Sequence, residues 1–387
     1  MVMTFGCTGP AGLPRFFTFI LLGLALVGCG EPDDVTIAVA GTQGFLDAAR
    51  LAVEDELQAG DLPHLDTVLV QEVSNRSDPA VRAAQELVET DGLIAVVGHA
   101  NSVASLATSQ VYNANEVVQI APTSTTPLYS EAGPFSFRMV PPDPVQGEAL
   151  ARLVTDSLAS ARGGGPARLV VLYVGDDYGR GLRPAFADAL PEAMPDGSPG
   201  PRLVLELPHT EDEVDEVDWN HQVTAVSEAN PDAVVWLGRV PALDQLLPKL
   251  REELGEVPIY GGDALGPAAQ NGDLHSDWDG VHFLDFVDMT ATPELVDLGE
   301  RLRDEEEGDD GVAWRGAGGP EALAYDAVRL LLASVRDGAT TGPAMRDYLN
   351  ELGRDRPPFE GIAGPVEFDE HGDMMREYVG ERVVRAP

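Results

Sequence analysis

The chain has 387 residues, of which 65 are acidic and 25 basic, a formal net charge of −40 at pH 7. Nucleic acid is a poor partner for such a surface, since binding it rests on Lys and Arg neutralising phosphates. The only cysteines, Cys7 and Cys29, lie near the start, so no disulfide framework braces the rest; at this length the chain buries an ample core, in roughly two domains, without one.

The carboxylates are spread over many segments. They read as a solvated surface that keeps the protein soluble rather than as an attractor of cationic ligands. The densest runs, 211–218 and 304–310, read as exposed loops or helix ends.

Arg15 is followed by a mostly apolar run over 16–28, too short to span a bilayer and suited to a signal-peptide core. The run ends Leu26-Val27-Gly28-Cys29, which resembles a bacterial lipobox. That resemblance implies cleavage before Cys29, lipid on Cys29 and a lipidated tether over 29–34; the alternative is an ordinary signal peptide with a chance cysteine. Residue Gly30 is not an aspartate, so inner and outer membrane both stay open.

The rest of the chain alternates. A buried β-branched strand is predicted over 35–40, a turn over 41–44, and an amphipathic helix over 46–59 with Leu46, Ala49, Val53 and Leu57 on one face. A strand over 67–73 precedes a helix over 79–90, with Asp78 as N-cap. Residues 135–140 are extended, and Pro141-Pro142 suits a crossover between lobes. Helices are then predicted over 144–161, 179–190, 219–229, 243–254, 293–306, 320–337 and 344–352. Strands are predicted over 169–174, 203–207, 233–237, 259–260, 281–287, 362–368 and 378–384. Strands alternating with helices of this length mean α/β architecture, parallel sheets with helices on both faces.

The stretch 93–127 organises the chain. An apolar run over 93–97 ends at Gly98, a polar loop follows, a helix is predicted over 103–115, and a second apolar run over 117–120 opens into Thr123, Ser124, Thr125 and Thr126. In a parallel sheet both turns lie beyond the carboxyl ends of the strands, where open α/β sheets bind ligands. Hydroxyls and helix-start amides there make a seat for a small anion such as a carboxylate. Helix capping is the structural alternative for Ser102 and Thr125.

Catalytic patterns are absent: no G-x-S-x-G, no G-x-x-x-x-G-K-[ST], no H-E-x-x-H, and scattered histidines without metal-ligand spacing. Gly261-Gly262-Asp263 follows a strand but is no dinucleotide fingerprint. The expectation is a non-enzyme with no cofactor and no metal.

Six segments together resemble the type I periplasmic binding proteins, in particular the leucine/isoleucine/valine-binding group that feeds ABC importers. They are VVGHANS from Val96, IAPTSTTP from Ile120, FRMVPPDPVQG from Phe137, DDYGRG from Asp176, IYGGDAL from Ile259 and FEGIAGPVEFDEHGD from Phe359. The resemblance implies two doubly wound parallel-sheet lobes joined by a three-crossover hinge. Their expected extents are 35–141 plus 286–371 and 142–285 plus 372–387. It implies an amino acid or similar small polar solute in the interlobe cleft, delivery to an ABC permease complex, and a periplasmic place. It assigns the ligand carboxylate to Ser102, the Thr123 backbone and Thr125, and the ammonium to Asp143 and Asp263. Tyr178 is to lie over the bound amino acid. Two departures stand out. The turn over 41–44 is shorter than usual in the family. Arg239 replaces an aromatic contact; it is expected at the surface, the other reading being entry into the cleft to favour a second acidic group. The same fold in an outer-membrane lipoprotein also suits a regulator without transport, for example of peptidoglycan synthesis.

Overall fold

The computed structural model describes residues 2–4, 34–159, 165–211, 217–270, 275–306, 318–376 and 380–384. Most of the expected leader, Cys29, the tether up to residue 33 and the centres of both acidic runs lie outside the described residues. The chain divides into two compact units, Met1–Ser124 with Leu128–Val140 and Pro320–Met375, and Thr125–Pro127 with Pro141–Gly319 and Arg376–Pro387.

The first unit begins with β1 (Val2–Thr4), β2 (Val35–Gly41), α1 (Gln43–Ala59), β3 (Leu65–Glu72), α2 (Ser77–Leu87), β4 (Leu93–Gly98), α3 (Ser102–Ala114), β5 (Val118–Ala121) and β6 (Ser136–Arg138). Its sheet runs β1-β3-β2-β4-β5-β6, parallel except for β1, which pairs antiparallel with β3. Every residue of β2 is buried, as expected for a central strand covered on both faces. Ala38, Ala40 and Val96 point from the sheet into the layer of α2 and α3, against Ala80, Ala84, Leu87, Ala104 and Tyr112.

The second unit follows with α4 (Asp143–Ala159), β7 (Arg168–Val174), α5 (Asp177–Ala189), β8 (Arg202–His209), α6 (Asn220–Ala229), β9 (Ala233–Leu237), α7 (Val240–Leu254), β10 (Ile259–Gly261), β11 (Val281–Asp285) and α8 (Pro293–Glu306). Its sheet runs β14-β11-β10-β9-β7-β8, where β14 (Gly380–Val383) is the antiparallel edge. The period of two along β7 decides its two cores. Val170 and Leu172 join Trp219, Trp236, Leu243 and Leu247 on one face, while Leu169 and Val171 join Leu150, Val154, Leu182 and Phe186 on the other.

The chain returns to the first unit through α9 (Gly319–Arg336), α10 (Gly342–Glu351) and a hairpin of β12 (Phe359–Gly361) and β13 (Gly364–Val366). A single strand over 362–368 is therefore replaced by a hairpin. Buried Asp326 on α9 explains it: its carboxylate accepts from Ile362 N and Ala363 N, both at 2.9 Å, and so fixes the tight turn.

Other differences from the sequence reading are local. Arg76, not Asp78, occupies the cap position of α2, and Asp78 lies in the first turn, where its charge still favours the helix start. Helix α1 starts at Gln43, so only Thr42 separates it from β2 and the link is shorter still than 41–44. The expected lobe boundaries at 285/286 and 371/372 stand beside observed ones at 319/320 and 375/376. Segment 286–319 stays with the second unit, where a side chain on Gly319 would touch Asp285 and Val287. Residues 372–375 stay with the first through Asp373.

Candidate ligand-binding site

In the first unit, the ends of β4 and β5 deliver Ser102 and Thr123 to one edge of the sheet. Asn101, not Ser102, caps α3: its side chain accepts from Ala104 N at 2.8 Å. Ser102 is therefore the first helical residue, buried, with its hydroxyl not needed as the cap. The Thr123 hydroxyl donates to Ala100 O at 3.3 Å and ties the two turns together. Behind them His99 is buried, with Nε2 3.2 Å from the Tyr112 hydroxyl. Burial pushes its pKa down to about 4, so the ring is neutral at physiological pH.

The hydroxyl loop is held from behind by Arg138. This fully buried guanidinium pairs with Asp373 at 2.7 Å, donates to Ser124 O at 3.1 Å, and donates to the Ser130 hydroxyl. Ser130 in turn donates to Asp373 at 2.7 Å. Its charge is matched by Asp373, which leaves this edge a set of neutral hydroxyls and amides.

The second unit brings together Thr125, Asp143, Tyr178 and Asp263. Thr125 lies in the Thr125–Pro127 excursion; its carbonyl accepts from Asp143 N at 2.8 Å, and its buried hydroxyl has no hydrogen-bond partner. Asp143 opens α4 and is fully buried. A side chain on Gly181 would come within 2.1 Å of its Oδ2, so only glycine lets α5 approach that carboxylate. The Tyr178 hydroxyl donates to Asp263 Oδ1 at 3.1 Å, and the Gln146 amide donates to the same oxygen through Nε2. Burial raises the Asp263 pKa to about 6, only partly offset by these two donors. The Tyr178 hydroxyl is pushed well above its usual pKa by burial and by the carboxylates of Asp263 and Asp143.

Arg239 is not a free surface side chain. Its Nη2 reaches Asp176 at 2.8 Å, its Nη1 and backbone N reach Glu211 at 2.7 and 2.6 Å, and its guanidinium lies 5.6 Å from the Tyr178 ring centre. Both forks are occupied, so neither offers itself to an acidic ligand group. Asp176 also caps α5, accepting from Tyr178 N at 3.0 Å and Gly179 N at 3.3 Å, so one carboxylate fixes both the tyrosine and the arginine over it. Burial pushes Glu211 up, but His209 and Arg239 outweigh it and hold this carboxyl below its usual range. Glu211 therefore belongs to this network rather than to a solvated acidic run.

Polar side chains thus gather beyond the carboxyl ends of the parallel strands in each unit, and comparison of the whole sequence places the chain in a family. The profile of the family described as periplasmic binding protein matches residues 36–384. The chain belongs to the periplasmic binding protein family. This is a family of solute-binding proteins, not enzymes, and it accounts for the type I fold of two α/β units. Among relatives of this periplasmic binding protein, Leu/Ile/Val-binding protein homolog 1 of Brucella suis is 24% identical over 364 residues, 90% of this chain and 87% of that one. An amino acid binding protein of Pseudomonas aeruginosa is 26% identical, covering 92% of this chain and 88% of its own. A branched-chain amino acid transporter substrate-binding protein of Streptococcus pneumoniae, solved with isoleucine, shares the fold at TM-score 0.72, with 20% identity over 91% of this chain and 99% of that one.

Within this periplasmic binding protein, three participants escaped sequence reasoning. Gln146 was inside a quoted segment but was passed over beside Asp143. Arg138 had a readable signal, a lone charge in the apolar run Phe137–Val140. Glu211 had none, since it opens an acidic run that reads as solvent-facing.

Proposed function

We propose that this protein is the solute-binding component of an ABC importer for an α-amino acid or a similar small polar zwitterion. The observation that supports the reading is the division of chemistry between the two edges. The first unit offers neutral hydroxyls and amides at Ser102 and Thr123, which suit a carboxylate. The second offers Asp143, Asp263 and the Gln146 carbonyl around Tyr178, which suit an ammonium. Relatives that carry amino-acid-binding names support the same class. The leader-like run and Cys29 complete the proposal: export, cleavage before Cys29, and a lipid anchor that keeps the protein at the periplasmic face of a membrane near its permease.

The test is a thermal-shift screen of the purified protein with the common α-amino acids. Ligand at a hundredfold over its dissociation constant stabilises by about 2.7 kcal/mol, a readily measured shift. A shift with one amino-acid class, lost in Ser102→Ala and in Asp263→Ala, is expected. Mass spectrometry of envelope-purified protein tests the anchor, with Cys29→Ser expected to release it into the soluble periplasm. The short link at Thr42 favours a second reading, a regulator of the same fold that binds a macromolecular partner such as a peptidoglycan synthase. A flat screen on folded protein selects that reading.

A further inference from the structure

We infer that Arg239 is a positioning residue for ligand binding. With Asp176 and Glu211 it holds the Tyr178 ring and, through the Tyr178 hydroxyl, the Asp263 carboxylate in the arrangement that receives the ligand ammonium. The inference rests on the amino-acid reading above and adds how the second unit's edge is kept in order before the ligand arrives.

The first observation is how completely the guanidinium is tied. Strands β9, β7 and β8 lie side by side, and the turns that follow them carry Arg239, Asp176 and Glu211. Glu211 takes the Arg239 backbone N at 2.6 Å through Oε1 and Nη1 at 2.7 Å through Oε2, so one carboxylate anchors both ends of the arginine. The remaining arm, Nη2, donates to Asp176 Oδ2 at 2.8 Å. Glu211 is itself backed by buried His209, whose Nε2 lies 3.4 Å from Oε1 and whose ring stacks on Trp236 at 4.2 Å. Gly238 makes room for this: a side chain there would come within 2.7 Å of Glu211 Oε1 and 2.8 Å of His209 Nε2. A lysine ammonium offers no planar fork to divide between two carboxylates.

The second observation is where the tied guanidinium lies. Its carbon is 5.6 Å from the Tyr178 ring centre, within reach of a cation–π contact. The other oxygen of Asp176 accepts from Tyr178 N at 3.0 Å and Gly179 N at 3.3 Å, and the Tyr178 hydroxyl donates to Asp263 Oδ1 at 3.1 Å. The ring is thus restrained at its backbone by Asp176, at its face by Arg239 and at its hydroxyl by Asp263. Magnitude separates positioning from plain stabilisation. The Arg239 and Asp176 side chains are 28% and 25% exposed, and ion pairs with that access to water add little to global stability. Ordering an aromatic ring before the ligand arrives removes that cost from binding itself.

The experiment is isothermal titration of the full chain, purified from envelopes in detergent, with each of the common α-amino acids. It is run on wild type, Arg239→Met, Arg239→Lys, Tyr178→Leu and the double variant Arg239→Met with Tyr178→Leu. Circular dichroism verifies folding, and the charge-balanced Arg239→Met with Glu211→Gln replaces the single variant if that one fails to fold. In parallel, fluorine NMR of protein labelled with fluorotyrosine follows the Tyr178 signal without ligand, assigned by its loss in Tyr178→Leu. Arg239→Met should bind the preferred amino acid about tenfold more weakly, and Arg239→Lys should not restore it. The Tyr178 signal should shift or broaden. Once Tyr178 is replaced, losing Arg239 should cost about twofold or less. Affinity or a Tyr178 signal unchanged in Arg239→Met overturns the inference while leaving the amino-acid reading in place. An equal loss with and without Tyr178 also overturns it, since Arg239 then acts by another route. Where Tyr178→Leu binds too weakly to titrate, the Tyr178 signal decides alone. Binding of no amino acid to folded wild type overturns both.

Discussion

The two units share one architecture and differ in the chemistry of their functional edges. At the first unit's edge the charged groups are cancelled before they reach the surface. Arg138 is matched by Asp373, His99 is kept neutral by burial, and what is presented is hydroxyl and amide. At the second unit's edge the charges are exposed to one another. Asp263 is raised in pKa by burial, and Tyr178 is raised by burial and by two carboxylates. The same fold thus makes a neutral edge in one unit and a carboxylate-rich one in the other.

Breaking the first unit's cancellation has the largest expected effect. Arg138→Leu strands buried Asp373 and releases the Ser124 carbonyl, and removing one partner of a buried pair costs about 3–5 kcal/mol. Urea unfolding should report that loss, with Asp373→Asn losing less because it can still accept from Arg138.

The second unit should answer with the opposite sign. An acid whose folded pKa is raised from 3.8 to about 6 destabilises the folded state at pH above that value, and the penalty fades as pH falls from 6 towards 4. Asp263→Asn should therefore stabilise ligand-free protein near pH 7, by up to roughly 3 kcal/mol, with the gain vanishing near pH 4. The same substitution should weaken amino-acid binding, and wild-type affinity should fall by up to about tenfold per pH unit below 6.

His99 sharpens the contrast. Its folded pKa is lowered from 6.5 to about 4, so the unfolded chain takes up the proton first and stability is lost as pH falls through that window. The loss is at most roughly 3 kcal/mol, and His99→Gln should flatten this part of the stability profile in acid. The smallest effects separate capping from binding at the first edge. Asn101→Ala should cost about 1 kcal/mol, as for a lost N-cap. Ser102→Ala should change stability by less, about 0.5 kcal/mol or under, while reducing ligand affinity.

Much of this was legible in the sequence for a physical reason. Central parallel strands are buried on both faces, so 37–40 and 233–237 are continuous apolar runs, and the helices between them carry one-sided periodicity. The ends were less legible, because caps decide them and a cap is a matter of geometry: Asn101 and Asp176 do the work near where Ser102 and Tyr178 drew attention. Least legible were pairings between residues far apart. Asp326 sets a turn 36 residues away, and Arg138 meets Asp373 across 235, separations over which no local pattern carries information. Arg239 shows the remaining gap. Composition places an arginine in an acidic protein at the surface, and only the fold brings Asp176 and Glu211 to it.

The interleaving of the two units along the chain has a consequence for biosynthesis. Apart from short pieces at its ends, the second unit is encoded in one stretch, Pro141–Gly319, and most of it emerges before the first unit's last helices exist. The first unit must wait with its sheet complete from β2 to β6 but with α9, α10 and the Arg138 counter-ion still unmade. A chain cut near residue 330 would thus carry most of the second unit but a first unit without α10, the β12–β13 hairpin and Asp373. Residues made late, Pro320–Met375, therefore complete the unit that was begun first.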